Sequence, residues 1–490
     1  LYHAPDGKRA LMMKVTKHGL LSFFLFLLMI LSIPQVLPAD VSSGEFDGFD
    51  DSFDESSEDP FGSIDMSIPE HLTILSDPGP FVMGGFIKIE AEAAFNGDDD
   101  NLSKLKAKFF TEAEYRISET LKIKASANAS YDFSYSLADK ERNTGFRQDD
   151  SRSELDLEDA FIDVKISDTL SFKAGRQIVV WGQSDYARIT DIVNPRDMTS
   201  PGLIDLEDAR LPVTALRMTM QTDLWTLEGV TIHEHPGSRI SGKGGDFDYY
   251  KSMRSPMVRI FDKKSPDSFE HITTAFKATR TFNGGDVSFV AASNFDDLPY
   301  LRYDGPDNGI MTFTPEYNRV QTLGLSTGFA RGPALFKAET ALTLDRKLMQ
   351  DDILTQINSG LPASQVQTAH TGDQVQGLIG MEYTGFTDLR LVLEAQAVHT
   401  LDAPGNLVID DTEYISYFQA TKYLMNEALE LDLLWVHMYP GHGDILRLSG
   451  TYDLVDDLEI QAGLAFYSAD TGESNLYAYK DQDRIFIRIK

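Results

Sequence analysis

Between Leu121 and Tyr135 the chain alternates without a break: Leu121, Ile123, Ala125, Ala127, Ala129, Tyr131, Phe133 and Tyr135 fall on one face, and Lys122, Lys124, Ser126, Asn128, Ser130, Asp132 and Ser134 on the other. A period of two over that length predicts a strand with one apolar and one wet side. The stretch before it repeats the pattern, with Leu105, Ala107, Phe109, Ala113 and Tyr115 against Lys104, Lys106, Lys108, Glu112, Glu114 and Arg116. Only Ser118-Glu119-Thr120 separates the two runs, enough for a tight hairpin. Carried along the chain, the pattern predicts eighteen strands beginning near residues 81, 102, 121, 154, 170, 212, 225, 271, 286, 317, 334, 374, 389, 413, 428, 444, 458 and 483. Sixteen is the alternative count, because Trp225 to His233 and Asp286 to Phe295 slip phase, which reads as bulges near Gly229 and Ala291.

A soluble sandwich would alternate too, and the connections decide between the two. Short turns recur at Ser167-Asp168-Thr169, Asp223-Leu224, Asn283-Gly284-Gly285, Arg331-Gly332-Pro333, Phe386-Thr387-Asp388, Met425-Asn426-Glu427 and Leu454 to Asp457. The connections between them are mostly long. Short turns at one end and long loops at the other predict an all-β fold, a transmembrane antiparallel β-barrel with short periplasmic turns and long extracellular loops. Either strand count leaves a water-filled interior.

One loop stands apart. After the strand Leu170 to Trp181 the chain gives up alternation until about Pro212, and residues 182–211 are dense in Asp, Arg, Asn and Pro. That is long for a cap, and the expectation is a pore loop folded into the lumen. Gly182 would allow one sharp turn and Asn194-Pro195 would fix another. Arg176, Arg188, Arg196 and Arg210 can pair with Asp185, Asp191, Asp197, Asp205, Glu207 and Asp208, either bracing the loop against the wall or lining a gate. The candidate pore-loop residues are Arg176, Trp181, Asp185, Arg188, Asp191, Asn194, Arg196 and Asp197.

At Gly175-Arg176-Gln177, Trp181-Gly182 and Asn194-Pro195-Arg196-Asp197 the sequence resembles the proteobacterial outer-membrane family known as domain of unknown function 1302, over about Phe81 to Lys490. The resemblance implies an exported barrel, often associated with envelope transport of hydrophobic or aromatic compounds, and no established activity. A more distant similarity is to eighteen-strand monomeric substrate porins, including the alginate exporter. In position only, the pore loop resembles the third loop of general porins.

Charge adds a second set of candidates. In this register, strands eighteen, one, two and three point Arg484, Arg488, Lys490, Lys88, Lys104, Lys106, Lys108, Arg116, Lys122 and Lys124 inward, interrupted by Glu90, Glu92, Glu112, Glu114 and Asp132. Strands eleven to fifteen and seventeen point Glu339, Glu382, Glu394, Glu430, Asp432 and Glu459 inward, offset by Lys337 and Arg390. The expectation is a lumen polarised across its width, able to orient carboxylate-bearing solutes.

The chain has a formal net charge of −32 and no cysteine, which argues against nucleic acid and removes thiolate metal sites and covalent haem. Residues 1–39 read as upstream residues and a signal peptide: Lys14 and Lys17 precede the uncharged run Leu20 to Ile33, and Ala39 lies at the expected cut. Residues 40–80 hold twelve acidic residues and no Lys or Arg up to Asp77, with Phe46, Phe49, Phe53 and Phe61 spaced among them. That composition predicts a disordered periplasmic segment, either a spacer or a dock for a basic periplasmic partner. The barrel proper is 81–490. Its last strand alternates apolar and basic residues to Lys490, where bacterial barrels usually end in an aromatic residue; the assembly signal is atypical or the chain continues.

Candidate chemistry changes little. His233 and His235 are two apart, without a third ligand at set spacing, and read as polar residues at a wet rim. His271, His370, His399, His437 and His442 also fall near extracellular strand ends. The acidic runs Asn96 to Asn101 and Asp304 to Gly309 lack the full ligand spacing of a calcium loop. No cofactor and no enzymatic activity are expected. The expected partners are outer-membrane lipid and lipopolysaccharide and the barrel-assembly machinery. The functional expectation is a passive outer-membrane channel for small or hydrophobic-acid solutes, the alternative being a structural barrel that holds a periplasmic partner in an export or electron-transfer complex.

Overall fold

The period-two pattern resolves into a closed ring. The computed structural model describes residues 80–95, 102–134, 153–206, 208–234, 237–242, 245–253, 255–261, 272–439, 443–470 and 476–490. The residues expected as a signal peptide, the acidic segment up to residue 79, the run Asn96 to Asn101, Glu207, His235, His271 and His442 lie outside them.

The first nine barrel strands are β1 (Phe81–Ala94), β2 (Leu102–Ser118), β3 (Leu121–Asp132), β4 (Ser153–Ser167), β5 (Leu170–Gln177), β6 (Val213–Gln221), β7 (Thr226–Ile232), β8 (Thr273–Phe282) and β9 (Gly285–Phe295). The other nine are β10 (Arg319–Arg331), β11 (Ala334–Met349), β12 (Ala369–Phe386), β13 (Leu389–Leu401), β14 (Thr412–Leu424), β15 (Leu429–Tyr439), β16 (Gly443–Val455), β17 (Leu458–Ala469) and β18 (Arg484–Ile489). Every strand pairs antiparallel with its neighbours in sequence, and the ring closes where β18 pairs with β1, from Ile89 opposite Ile489 to Ala94 opposite Arg484. Closure removes the two open edges that an eighteen-strand sheet would otherwise expose.

Alternation sorts the side chains into two environments. Met83, Phe109, Leu155, Leu323, Ile379 and Ile487 stand exposed on the outside, while Glu92, Asn128, Gln374, Glu394 and Asp432 are buried on the inside. An apolar belt around the ring with polar groups within is the inverse of a soluble protein and matches a barrel in lipid.

Two expectations need correcting. No bulge interrupts β7, β8 or β9, whose ladders run in continuous register. The phase slips there because the inner face is apolar as well: Val230, Ile232, Ala275 and Val290 pack inward with Val213 and Ala215. The second correction concerns residues 344–373, which fall between the strands expected to begin near 334 and 374 and were expected to form one of the long loops. β11 continues past a register shift between Thr343 and Arg346, where Asp345 has φ 61°, and pairs with β12 from Ala369. An isolated reversal of parity concealed that extension.

Beyond the strands, residues 258–260, 300–307 and 310–316 form a small three-stranded sheet. With a short helix, α1 (Ile353–Asn358), it buries Leu301, Tyr303, Phe313 and Ile353. The acidic run expected at Asp304 to Gly309 is its hairpin; Asp304 and Asp307 pair with Arg302 and Arg259 at 2.9 and 3.2 Å.

A closed ladder of this kind should resist detergent until boiled. Unheated protein on a denaturing gel is expected to migrate apart from boiled protein, with far-UV circular dichroism dominated by strand; a helix-dominated spectrum would contradict the ring.

Candidate functional site

The site is the stretch between β5 and β6, residues 178–212, and it lies inside the ring. It touches inward-facing residues of β1, β2, β7, β9, β10, β11, β13, β16 and β18, a set reachable together only from within the lumen.

The loop enters along the apolar inner wall. Val179, Trp181 and Val193 pack on Val213, Val230, Ala275 and Val290, and the Trp181 indole donates to Glu228 at 3.1 Å, which Arg217 also holds at 2.7 Å. The chain then reaches the acidic wall. There the buried Glu339 carboxylate accepts from the backbone N–H groups of Gln183 (2.7 Å), Ser184 (2.7 Å) and Thr190 (2.9 Å) and from the Thr190 hydroxyl (2.6 Å). The Ser184 hydroxyl donates to Glu394, and Asp185 pairs with Lys337 and Arg390, each at 3.3 Å. Ala187 and Ile189 pack on Ala341 and Leu378. Farther on, Leu203 inserts among Leu434, Val436, Ile445 and Phe486. Asp205 pairs with Arg488 at 2.8 Å and Lys88 at 3.5 Å, and Asp208 with Lys108 at 3.4 Å.

Within the loop, Asp191 ties the two limbs together. It is 1% exposed and accepts from Arg210 Nε at 2.8 Å and Arg196 at 3.5 Å. Burial pushes its pKa up, but Arg210, Arg196 and Arg188 outweigh that and hold it below the ordinary carboxylate range. Asn194 staples the loop's ends: its Oδ1 accepts from Val179 N and its Nδ2 donates to Leu211 O, both at 2.7 Å. Arg196 donates to Tyr186 O at 2.9 Å, Arg188 pairs with Asp297, and Asp197 accepts from Thr199 while facing Arg239 at 3.6 Å. Trp181, Asp191 and Asn194 are thus sealed from solute and brace the loop. Gly182 serves close approach rather than a turn, since an added Cβ would lie 2.9 Å from Asp191 Cβ.

Arg176 does not join this site. It shares the parity of the outward Ala174 and pairs with Glu234 at 2.6 Å, bonding Leu157 O as well, on the side of β5 away from the lumen.

The lumen-wall candidates do face inward, already paired. Lys104 meets Glu90 and Glu92 at 3.3 and 3.2 Å, Lys106 meets Glu154 at 2.7 Å, Lys122 meets Glu114 at 3.5 Å, and Lys124 meets Glu112 and Asp159 at 3.3 and 3.5 Å. Lys88 and Arg488 share Glu90 besides Asp205. Opposite, Glu382 pairs with Arg390 at 2.7 Å, and Asp432 accepts from Gln419 and Thr421 and faces Arg447 at 3.5 Å; among the described residues Glu430 makes no ion pair. The polarised wall read from sequence is therefore a docking surface. Loop N–H and hydroxyl donors meet the acidic side, and loop carboxylates meet the basic side.

Sequence reading missed Gln183, Ser184, Thr190 and Glu228, polar residues without motif or periodicity. It also overlooked Gly324-Leu325-Ser326-Thr327-Gly328, which has the Gly-x-Ser-x-Gly spacing of a nucleophile elbow. Here the five residues lie mid-strand in β10 instead of at a strand-to-helix turn, and Ser326 is fully buried. The two glycines make room for the loop: Cβ atoms there would lie 2.9 Å from Thr190 Cγ2 and Gln183 Oε1.

With the loop's path established, the family comparison has a structural meaning. Residues 70–487 match one family across both the barrel and its inner loop. The chain belongs to DUF1302, described as a protein of unknown function. No curated protein matches its sequence. Among solved structures, this DUF1302 protein is similar to Acinetobacter baumannii OccAB1, with 7% identity, 84% of this chain and 95% of that chain covered, and a TM-score of 0.50. It is also similar to the outer membrane protein opdK of Pseudomonas aeruginosa (8% identity, 84% and 96% covered, TM-score 0.48) and to Salmonella typhi OmpF in complex with daunomycin (11%, 83% and 96%, 0.40). At such identities the likeness concerns the barrel fold alone.

Replacing Glu339 by Gln turns one acceptor oxygen into a donor facing N–H groups, and each hydrogen bond to a charged group is worth about 1.5–3 kcal/mol. Backbone amide exchange at Gln183, Ser184 and Thr190 should then accelerate by about two orders of magnitude, with the gel shift retained; unchanged protection would show that Glu339 does not hold the loop.

Proposed function

We propose that this DUF1302 protein is a porin-like channel of the Gram-negative outer membrane, exported through a signal peptide cut near Ala39, for passive movement of small or hydrophobic-acid solutes. The observation that carries the reading is a closed ring, apolar outside and polar inside, whose lumen is crossed by a loop anchored on opposite walls. A loop held by so many long-range contacts is a fixed constriction rather than a mobile cap. It narrows the passage and sets what lines it. Hydrophobic acids are favoured because aromatic and cationic groups adjoin at the constriction: Tyr186 stacks on Tyr417 with centroids 5.6 Å apart, next to the Asp185–Arg390 pair. A ring face and a guanidinium suit a solute with an apolar body and a carboxylate head. The alternative, a sleeve around a periplasmic partner, fits less well because the chain's own loop occupies the lumen.

Purified protein in planar bilayers should show stepwise conductance on its own, and deleting Asp185 to Asp208 should raise it. Silence of the intact protein, or an unchanged step after the deletion in a heat-modifiable barrel, would contradict the channel and the constriction respectively.

Changing Lys104, Lys106 and Lys108 together to Gln leaves Glu90, Glu92, Glu154 and Asp208 short of counter-charge. The reversal potential should then move toward cations at ~0.01 M salt, where screening extends over ~30 Å, and little at ~1 M, where it extends over ~3 Å. Indifference at low salt would remove these lysines from ion selection.

A further inference from the structure

We propose that the outer wall carries a binding groove for one zwitterionic phospholipid of the periplasmic leaflet, with its phosphate at Lys422, its primary ammonium at Asp388 and an acyl chain along β14 to β18 and β1. This rests on the reading of the barrel as membrane-embedded, and on nothing that happens in its lumen.

A groove of about 910 Å³ lies on the outside of these strands. Its course follows from register. Lys422, Leu431, Gly450, Ala462, Ile487 and Ala91 are successive cross-strand partners, each on the outward face. Along this row the side chains shrink to nothing at Gly450 and to methyl groups at Ala462 and Ala91, which make the floor on either side of Ile487. The rows on either side are bulky: Leu433, Leu448 and Leu464 form one bank, Tyr452 and Ile460 the other. The neighbouring row ends at Ala93 opposite Leu102, the first residue of β2, so the groove climbs from the short-turn end of β14 to the long-loop end of β2. Seven strands at a spacing of ~4.8 Å give a length of ~29 Å, longer than one leaflet of a hydrocarbon core ~30 Å thick.

The occupant is chosen by the charges at the lower end. Lys422 lines the groove and turns its ammonium to the Thr387 carbonyl at 2.8 Å, beside the Asp388 carboxylate at 4.0 Å, in the turn between β12 and β13. Both charged side chains keep substantial exposure, 38% and 55%, so neither is used up by the other. A cation and an anion side by side at headgroup level, above an acyl-sized trough, complement a phosphate linked to a primary ammonium. Within lipid the trough adds close packing of the chain over small residues instead of a hydrophobic driving force.

Full-length protein, exchanged into vesicles of defined composition and re-extracted in mild detergent, can be weighed by native mass spectrometry. One retained phosphatidylethanolamine per chain is expected, kept at least about tenfold better than phosphatidylglycerol. Ala462→Leu, which fills the floor, and Lys422→Gln should each abolish retention, and Asp388→Asn should erase the preference for the ethanolamine headgroup. Retention unchanged in Ala462→Leu or Lys422→Gln overturns the proposal, as does equal binding of both lipids by the intact protein. Dimers of the chain that vanish in Ala462→Leu would assign the groove to a second copy and also overturn it. Because gel shift and conductance report the barrel separately, failure here is distinguishable from failure of the channel reading.

Discussion

The interior of this protein hangs on one carboxylate. Glu339 sits on β11 with 4% exposure and, among the described residues, no cation in contact, and its charge is met by three backbone N–H groups and a hydroxyl of the inner loop. Such a group is costly to bury unless every lone pair is engaged, and costly for its donors if it is withdrawn. The loop therefore has one low-energy path at this point. From it follow the placement of Asp185 between Lys337 and Arg390, the contact of Ser184 with Glu394, and the return toward Asp191.

The rest of the lumen is organised to receive that path. The wall is acidic where the loop offers donors and basic where it offers Asp205 and Asp208. Burial pushes the Asp205 pKa up, yet Arg488, Lys88 and Arg447 more than compensate and leave it below the usual carboxylate range. Where the loop offers Val179, Trp181 and Val193, the strands behind it lose their polar inner face. Charge, donors and apolar surface change in step around the ring, so the loop is oriented by three kinds of complementarity at once.

Outside the ring a different solvent imposes a different rule. Positions that face lipid need only be apolar, so their sizes vary freely, and on β14 to β18 and β1 that freedom leaves a trough of Gly450, Ala462 and Ala91 between larger side chains. The same two-residue period that makes a wet lumen makes this dry surface. A single strand such as β16 takes part in both, with Arg447 facing Asp205 inside and Gly450 in the groove outside.

Strand number, the parity of most strands, the short turns and the inward lysines and carboxylates were legible along the chain, because a strand's two faces are set by neighbours two residues away. The Trp181 to Asp197 stretch also declared itself, by losing that period. Its job did not. Asp191 and Asn194 looked as ready to meet solute as to brace the loop, and only burial behind Arg196, Arg210 and Leu211 decides it. Arg176 belonged to the outer face by parity, yet its Gly-Arg-Gln setting drew it toward the loop. Gln183 and Thr190 carry no local signal, since their partner Glu339 is some 150 residues away, and contacts across such a separation arise from the closing of the ring, which no window of sequence contains. The apparent bulges near Gly229 and Ala291 belong with them: a strand apolar on both faces looks irregular until the loop that covers its inner face is in place.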